Sequence, residues 1–529
     1  MTESMNMKFI GDENYRATMS QLMQGLGDEQ RKGNSDLSYY APKFYELMQA
    51  RVDPPLEAIW VYSWLSFNCR NFEKVDALER VVAIKDLFHS ISACLVSSGA
   101  AKSVVGISPV VFELCAFVSE EVGDKDLSSK REKKILKEIV NLSEMILGFV
   151  NVSLNASNEE VELNGCIASF PDLARLWMSS DADESGVLKL FLPLASNEVC
   201  REVVSSGYNM KQLAGAVTAE AFLMKLSLLF HGGIPRSQLE QEMRNWAIGS
   251  ISASQYHYFF EVLAKMLLER TLPLNHLSIS YDEVLRKVLY DSLILVEYYF
   301  LNFKPHSAER MKSLALTRLV MTYEAVEYCR QNGDQRRAAL YTDAFSGSKL
   351  CSQLKKWMKS LFVVNDDTPQ PNGSSPKAIL QWLLNIENKG VTVFDDSMAG
   401  YRTKVANEIA KANNDEPQSA EDCKKSEGDV FFFDKIGKDM DEGGEIKNNE
   451  SMSAAFTAAA HKMKDENKGH RRKGKKSKPS KPIKFIKYDV ADNSHSDKKT
   501  HVMANKVESN SDIEVANGSS DEDVSDIEQ

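Results

Sequence analysis

Along residues 13–388, apolar side chains recur at the spacing of helical faces rather than in the strict alternation of strands. Residues 74–98 place their apolar positions on one broad face and their charges opposite, and residues 130–149 repeat this pattern behind a basic first turn. Gly123, Gly207, Gly232 and Gly333 stand where left-handed C-caps would end helices. The pattern predicts roughly sixteen helices and an all-α body.

Two prolines mark further expected helix starts. Asp53-Pro54 and Ser108-Pro109 each fit an N-cap residue followed by proline at the first helical position. We therefore expect a helix to begin at each of these two pairs.

A body of this length exceeds the roughly 250–300 residues at which one hydrophobic core stops growing. The body either splits into domains or extends as stacked helix pairs. In the second form it resembles armadillo/HEAT-type helical repeat proteins, a resemblance that covers about residues 35–390 and implies units of about 40 residues. No motif recurs at a fixed period, so the resemblance is architectural and transfers no site residue. An irregular multi-helix domain is the alternative.

The sequence predicts five segments. They are an N-terminal segment with one helix (1–35), an all-helical solenoid-like domain (36–390), an acidic and mostly disordered linker (391–461), a basic block (462–488) and an acidic serine-rich disordered tail (489–529). Neither Leu nor Trp occurs after Leu384, so the end of the chain has little apolar surface to offset the entropy of ordering it.

Charge is distributed unevenly along this chain, whose 64 basic and 75 acidic residues give a net −11. Residues 413–461 carry −7, residues 462–488 carry +10 and residues 489–529 carry −8. Like-charge blocks of this kind usually serve as interaction segments.

The basic block predicts a nuclear localisation signal, because an exposed run of cations fits the acidic pockets of an import receptor. Its cations are Arg471, Arg472, Lys473, Lys475, Lys476 and Lys478. A merely solvated charge run is the alternative. Phe485 and Tyr488 interleave with further lysines, which also suits contact with single-stranded RNA.

Two other motifs of the tail predict regulation and docking. Ser509, Ser511, Ser519, Ser520 and Ser525 each have a carboxylate three residues later, a pattern that acidophilic kinases accept. Phe431, Phe432 and Phe433 form an apolar island that is either a docking motif or a short element packed on the body.

Within the body, residue spacing favours structural roles. Trp60, Trp64 and Phe67 are expected in the core, while Lys225 and Glu297, inside apolar runs, are expected on narrow solvent-facing strips. The eight scattered cysteines predict reduced, buried thiols. No metal-ligand spacing or nucleophile motif occurs, so we expect neither catalysis nor a cofactor or metal.

No secretory signal is found, and the best apolar stretch, Ser103 to Ser119, contains Pro109 and Glu113, so no membrane span is expected. Taken together, these features predict a non-enzymatic protein-interaction scaffold of the nucleus, with the nucleolus as a narrower expectation. Its partners would be other proteins and an import receptor. The alternative is an RNA-associated assembly factor, for example in ribosome biogenesis, that contacts RNA through residues 462–488.

Overall fold

A computed structural model describes most of the first 407 residues, and the chain divides into two units, Met1–Glu421 and Asp422–Gln529. The described residues, all in the first unit, are 12–68, 75–122, 129–155, 170–178, 182–232, 234–269, 272, 282–303, 307–364, 375–394, 398, 400 and 402–407. The predicted tail motifs lie outside these ranges.

Every regular element in the described ranges is a helix, which confirms the all-α prediction for this part of the chain. Nineteen helices are named there: α1 (Asp12–Arg31), α2 (Tyr40–Gln49), α3 (Leu56–Asn68), α4 (Ala77–Cys94), α5 (Ala100–Gly106), α6 (Ser108–Glu121), α7 (Lys130–Asn155), α8 (Phe170–Arg175), α9 (Glu184–Phe191), α10 (Asn197–Ser205), α11 (Met210–His231), α12 (Arg236–Ala253), α13 (His257–Leu268), α14 (Asp282–Ile294), α15 (Phe300–Phe303), α16 (Ala308–Gln331), α17 (Gln335–Ser346), α18 (Lys349–Val364) and α19 (Pro376–Asn388).

The helix boundaries follow local chemistry at most of the predicted positions. Gly207 and Gly333 adopt φ angles of 70° and 75° just after α10 and α16, as expected for left-handed residues that end helices. The left-handed prediction is wrong for Gly232, which follows α11 with a φ of −73°, and Gly123 lies outside the described residues. The prediction at Asp53 is wrong, because α3 begins only at Leu56. Instead, the Asp53 carboxylate accepts a hydrogen bond from the Lys102 ammonium at 2.7 Å, which ties the start of α3 to α5.

Pro109 follows closely on the break between α5 and α6, which lies at Ile107. It lies in the first turn of α6, where its missing N–H leaves no helical hydrogen bond unmade, as predicted. Ser108 is not the cap, however, because α6 begins at Ser108 itself and its N-cap is Ile107. The Ser108 hydroxyl donates to the Val105 carbonyl at 2.6 Å and so occupies an acceptor at the end of α5.

Most helix contacts follow the order of the chain. Helix α2 packs on α1 and α3, α4 on α3, α6 and α7, and α16 on α13, α14, α17, α18 and α19. The longer connections converge on α11, which contacts α5, α6, α7, α10, α12 and α13. Helix α11 is therefore the central element to which the earlier and later helices attach.

Helix α11 is buried on all sides over sixteen consecutive residues, 213–228. Its close contact with α13 depends on Gly215, where an added Cβ would lie 3.0 Å from the backbone carbonyl of Tyr258. The hydroxyls of Thr218 and Ser227 donate to carbonyls of their own helix, at 2.7 Å each, and need no outside partner.

Two helical stretches are long and apolar enough to span a bilayer by length and composition alone. They are Ala100–Glu121, which includes α5 and α6, and Met210–His231, which is α11. Their apolar windows are 78% and 89% buried by the rest of the protein. Packing in the core thus accounts for their apolar composition.

Aromatic side chains fill the core where their spacing predicted it. Trp60 of α3 is completely buried, and Trp64 and Phe67 of the same helix are also buried. The Trp60 ring stacks on Phe191 of α9 with centroids 4.9 Å apart, and its indole N–H donates to the Val105 carbonyl at 3.2 Å. The core-packing prediction for these aromatic residues is confirmed.

Candidate functional site

The functional residues predicted from the sequence all lie outside the described part of the chain. This applies to the basic cluster, the five serines and the phenylalanine triplet, so each stays a prediction. The described residues contain no group of three or more His, Cys, Asp or Glu side chains that could hold a metal ion. The candidate sites among the described residues are therefore buried polar groups in the body and charged faces on its surface.

Lys225 and Glu297 are the two charged residues that the sequence places inside apolar runs. Glu297 is exposed, as predicted. Lys225 is buried on α11, contrary to the prediction, and its ammonium lies 2.7 Å from the Glu144 carboxylate of α7. Because Glu144 is largely exposed, the pair joins the central helix to the surface of α7 and serves packing rather than chemistry.

Glu220 is a fully buried carboxyl that the sequence pattern did not single out. It lies completely buried on α11 and accepts a hydrogen bond at 2.9 Å from the Leu194 N–H, in the turn between α9 and α10. Burial raises the pKa of Glu220 to about 8, although this hydrogen bond and the nearby Lys189 ammonium oppose the shift. A lone Glu in the alanine-rich run of α11 was the available sequence signal.

Lys189 holds the same turn from the other side. Its ammonium donates to the carbonyls of Pro193, at 3.0 Å, and Ala195. Burial lowers the pKa of Lys189, and the neighbouring Cys200 and Glu220 partly oppose this. Glu220 and Lys189 thus satisfy the backbone of one buried turn, which is a structural use of two groups that could otherwise do acid–base chemistry.

The thiols in this region are protected. Cys115 and Cys200 are buried, which confirms the prediction for these residues. Burial raises the pKa of the Cys200 thiol to about 12 and that of Cys115 well above its usual value. Because the thiolate is the nucleophile, neither sulfur is prepared for covalent catalysis.

A second buried network joins α12, α14 and α17 around Asp291. The Tyr341 hydroxyl donates to Asp291 Oδ1 at 2.7 Å, and Arg244 Nε lies 2.7 Å from Oδ2. Arg337 lies 3.8 Å from Asp291 and 3.2 Å from Glu240, so both arginines are shared between the two carboxylates. These contacts fix three helices in register, since each buried charge has partners.

Arg318 is a buried cation on α16 that faces backbone rather than carboxylates. Its Nη2 donates to the Ile294 carbonyl at 2.7 Å and to the Val296 carbonyl at 3.2 Å, and its guanidinium lies 4.8 Å from the centre of the Tyr298 ring. A cation at the end of α14 stabilises the terminal carbonyls and the negative end of the helix dipole. Arg318 is therefore a helix cap supplied by another helix.

Glu113 lies beside the aromatic cluster around Trp60. Burial raises the pKa of Glu113 to about 7, and the charge of Arg80 opposes this shift. The Trp177 ring belongs to this cluster, with its centroid 5.4 Å from that of Trp60. Within the cluster, the rings of Trp60, Phe170, Trp177 and Phe191 pack at centroid distances of 4.8–6.1 Å.

The surface of the body carries two lysine-rich helical faces. The α7 lysine face consists of Lys130, Lys133, Lys134 and Lys137, and the α18 lysine face consists of Lys349, Lys355, Lys356 and Lys359. All are exposed except Lys355, which is half-buried. In contrast to the buried groups, these cations are available to a partner.

The basic first turn of α7 is visible in the sequence, but its composition alone predicts no function. The spacing of i, i+3, i+4 and i+7, opposite the apolar stripe, was the signal that could have identified the α7 lysine face. No family model, curated protein or solved structure matches this chain.

Proposed function

We propose that this protein is a non-enzymatic protein-interaction scaffold of the nucleus, and of the nucleolus more narrowly. In this proposal the body is a stack of helix pairs of the armadillo/HEAT type. The tail is a disordered segment that carries the import signal, a phosphorylatable acidic end and a phenylalanine docking motif.

The observation that carries the scaffold proposal is how the described body uses its buried polar groups. Glu220, Lys189, Asp291 and Arg318 each hold helices or turns together, and the surrounding core is filled by aliphatic and aromatic side chains. A stack in which neighbouring helices contact each other along the chain leaves its outer faces for partners. The armadillo/HEAT resemblance rests on this order of contacts together with the absence of strands from the described ranges.

Nuclear import is tested by replacing Lys473, Lys475, Lys476 and Lys478 with Ala in a fluorescent fusion of the full chain. We expect loss of nuclear accumulation, because receptor pockets need closely spaced cations. The matched control replaces the same number of lysines outside the dense cluster, namely Lys462, Lys464, Lys498 and Lys499. Unchanged accumulation of the first variant would contradict the assignment.

The scaffold itself is tested by affinity purification and mass spectrometry of the full chain and of a chain lacking residues 391–529. Partners kept by the shortened chain belong to the body, and those lost belong to the tail. If the shortened chain recovered no partner in stoichiometric amounts, or different partners in replicate purifications, the body would not be a scaffold.

An RNA-associated assembly factor, for example in ribosome biogenesis, is the second candidate. It is favoured by the cations and aromatic residues interleaved within residues 462–488, which suit phosphate neutralisation and base stacking. This candidate requires salt-sensitive RNA binding that depends on residues 462–488.

A further inference from the structure

The α7 lysine face is a narrow strip of positive charge on the first two turns of a 26-residue helix. Because residues three, four and seven apart lie on one side of a helix, the four ammonium groups share one strip about 10 Å long. They point away from the core, since the buried residues of α7 occupy the opposite side. Those buried residues are Ile135, Ile139, Leu142, Ser143, Ile146 and Val150.

The position of these lysines is electrostatically unfavourable for the fold. The N-terminus of a helix carries partial positive charge from the aligned peptide dipoles, so cations there destabilise it. Lys130 and Lys134, and likewise Lys133 and Lys137, are also like-charged pairs at i, i+4. None of the four forms an ion pair with a carboxylate in the described part of the chain. Only their neighbour Arg131 does, with Asp76.

The backbone at this end of α7 is already capped. The Glu132 N–H donates to the Ser129 hydroxyl at 3.1 Å, and the Ser129 N–H donates to the Glu132 carboxylate at 2.9 Å. This reciprocal capping box occupies two of the terminal amides and keeps the helix end formed despite the cations. Any anion held here would therefore be held by the lysine side chains.

We infer that the α7 lysine face binds the phosphate backbone of RNA. The positive charge of these four lysines destabilises the helix and has no partner among the described residues of the body. A bound polyanion neutralises that charge. Lysine binds phosphate as a flexible point charge, so four lysines in one strip can contact several successive phosphates. Protein interfaces are also depleted in lysine and centre on apolar anchors, and these two turns expose no apolar side chain.

This inference goes beyond scaffolding and does not depend on the tail. It places RNA contact on the folded body, whereas the second candidate function places it in residues 462–488. A chain that used both segments would hold RNA at two points, with additive contributions to the salt dependence.

The test measures binding of a fluorescently labelled, mixed-sequence single-stranded RNA to the full chain by anisotropy at several salt concentrations. The test variant replaces Lys130, Lys133, Lys134 and Lys137 with Gln. The matched control replaces the four lysines of the α18 lysine face with Gln and so removes the same net charge. Far-UV circular dichroism checks that each variant keeps its helix content.

Four lost phosphate contacts should lower the slope of log K against log salt by about 3, since each contact to single-stranded nucleic acid contributes about 0.7. Between about 50 and 200 mM salt, the wild type should therefore lose about 50-fold more affinity than the α7 variant. The α18 control should keep the wild-type slope.

Three outcomes would overturn the inference: an unchanged slope in the α7 variant, an equal reduction in the α18 control, or α7-dependent binding of polyglutamate without α7-dependent binding of RNA. The last outcome would make the face a contact for an acidic protein. A further variant, with Arg471, Arg472, Lys473, Lys475 and Lys476 replaced by Gln, separates the two RNA segments. If its RNA binding still depends on the α7 lysines, the body contact stands whether or not the tail binds RNA.

Discussion

Helices α7 and α11 contact each other, yet they use their polar residues in opposite ways. In α11, the charged residues Glu220 and Lys225 are buried and engaged by Leu194 and Glu144. In α7, one side is buried and the other exposes cations at the end of the helix where they are least favourable. The fold thus explains these two buried residues of α11, whereas it does not explain the α7 lysine face.

The largest expected effect comes from the pH dependence of Glu220. Because its pKa is raised to about 8 from 4.5, the folded protein keeps a proton that the unfolded chain releases between those values. The free energy of unfolding should therefore fall as pH rises from about 5 to 8, by roughly 3–5 kcal/mol from this group. Glu113, with a pKa raised to about 7, acts in the same direction.

Urea unfolding of wild type and Glu220→Gln, followed by circular dichroism across that pH range, measures this effect. The amide mimics the protonated carboxyl, so the variant should lose most of the decline. Exposed Glu46→Gln on α2 is the control and should follow the wild type. If Glu220→Gln kept the full decline, the burial of this carboxyl would not be the cause.

A smaller effect is expected at the contact between α11 and α13. Gly215→Ala would place a Cβ 3.0 Å from the Tyr258 backbone, where neither helix can yield easily, and should lower the free energy of unfolding by roughly 1–3 kcal/mol. Gly249→Ala on α12 meets no heavy atom within 4 Å and should raise it by about 0.5–1 kcal/mol through helix propensity. Thermal denaturation of the two variants should show opposite signs, and a stabilised Gly215→Ala variant would refute the close approach.

The smallest effect is expected on the surface of α7. Lys130→Gln combined with Lys134→Gln should raise the free energy of unfolding by about 0.5–1 kcal/mol, because it removes a cation from the first turn, at the positive end of the helix dipole, and separates a like-charged pair at i, i+4. The corresponding pair Lys356→Gln and Lys359→Gln on α18 lies beyond the first turn and should change it by less than about 0.3 kcal/mol. Differential scanning calorimetry at low salt measures both. Equal changes in the two helices would show that the α7 lysines carry no special cost.

Part of this body could be predicted because its determinants are local. Residues 130–149 and 74–98 carry the periodicity of α7 and α4, and the glycines after α10 and α16 stop those helices wherever the rest of the chain lies. Asp53 shows the limit of this reasoning. An aspartate can cap a helix, but the Asp53 carboxylate accepts a hydrogen bond from Lys102, 49 residues away, instead of capping α3.

The amino-acid sequence by itself determined the all-helical class, the principal helices and the aromatic core of the described body, because helical periodicity and helix-ending residues act within a few positions of the chain. Tertiary structure alone decided which polar residues became interior. Lys225 and Glu297 stand in similar apolar runs, but Lys225 is buried and pairs with Glu144, 81 residues away, whereas Glu297 is exposed and accepts a hydrogen bond from the Lys349 N–H. The use of Glu220 and the outward position of the α7 lysine face were decided in the same way, because burial depends on which distant helices pack around a side chain.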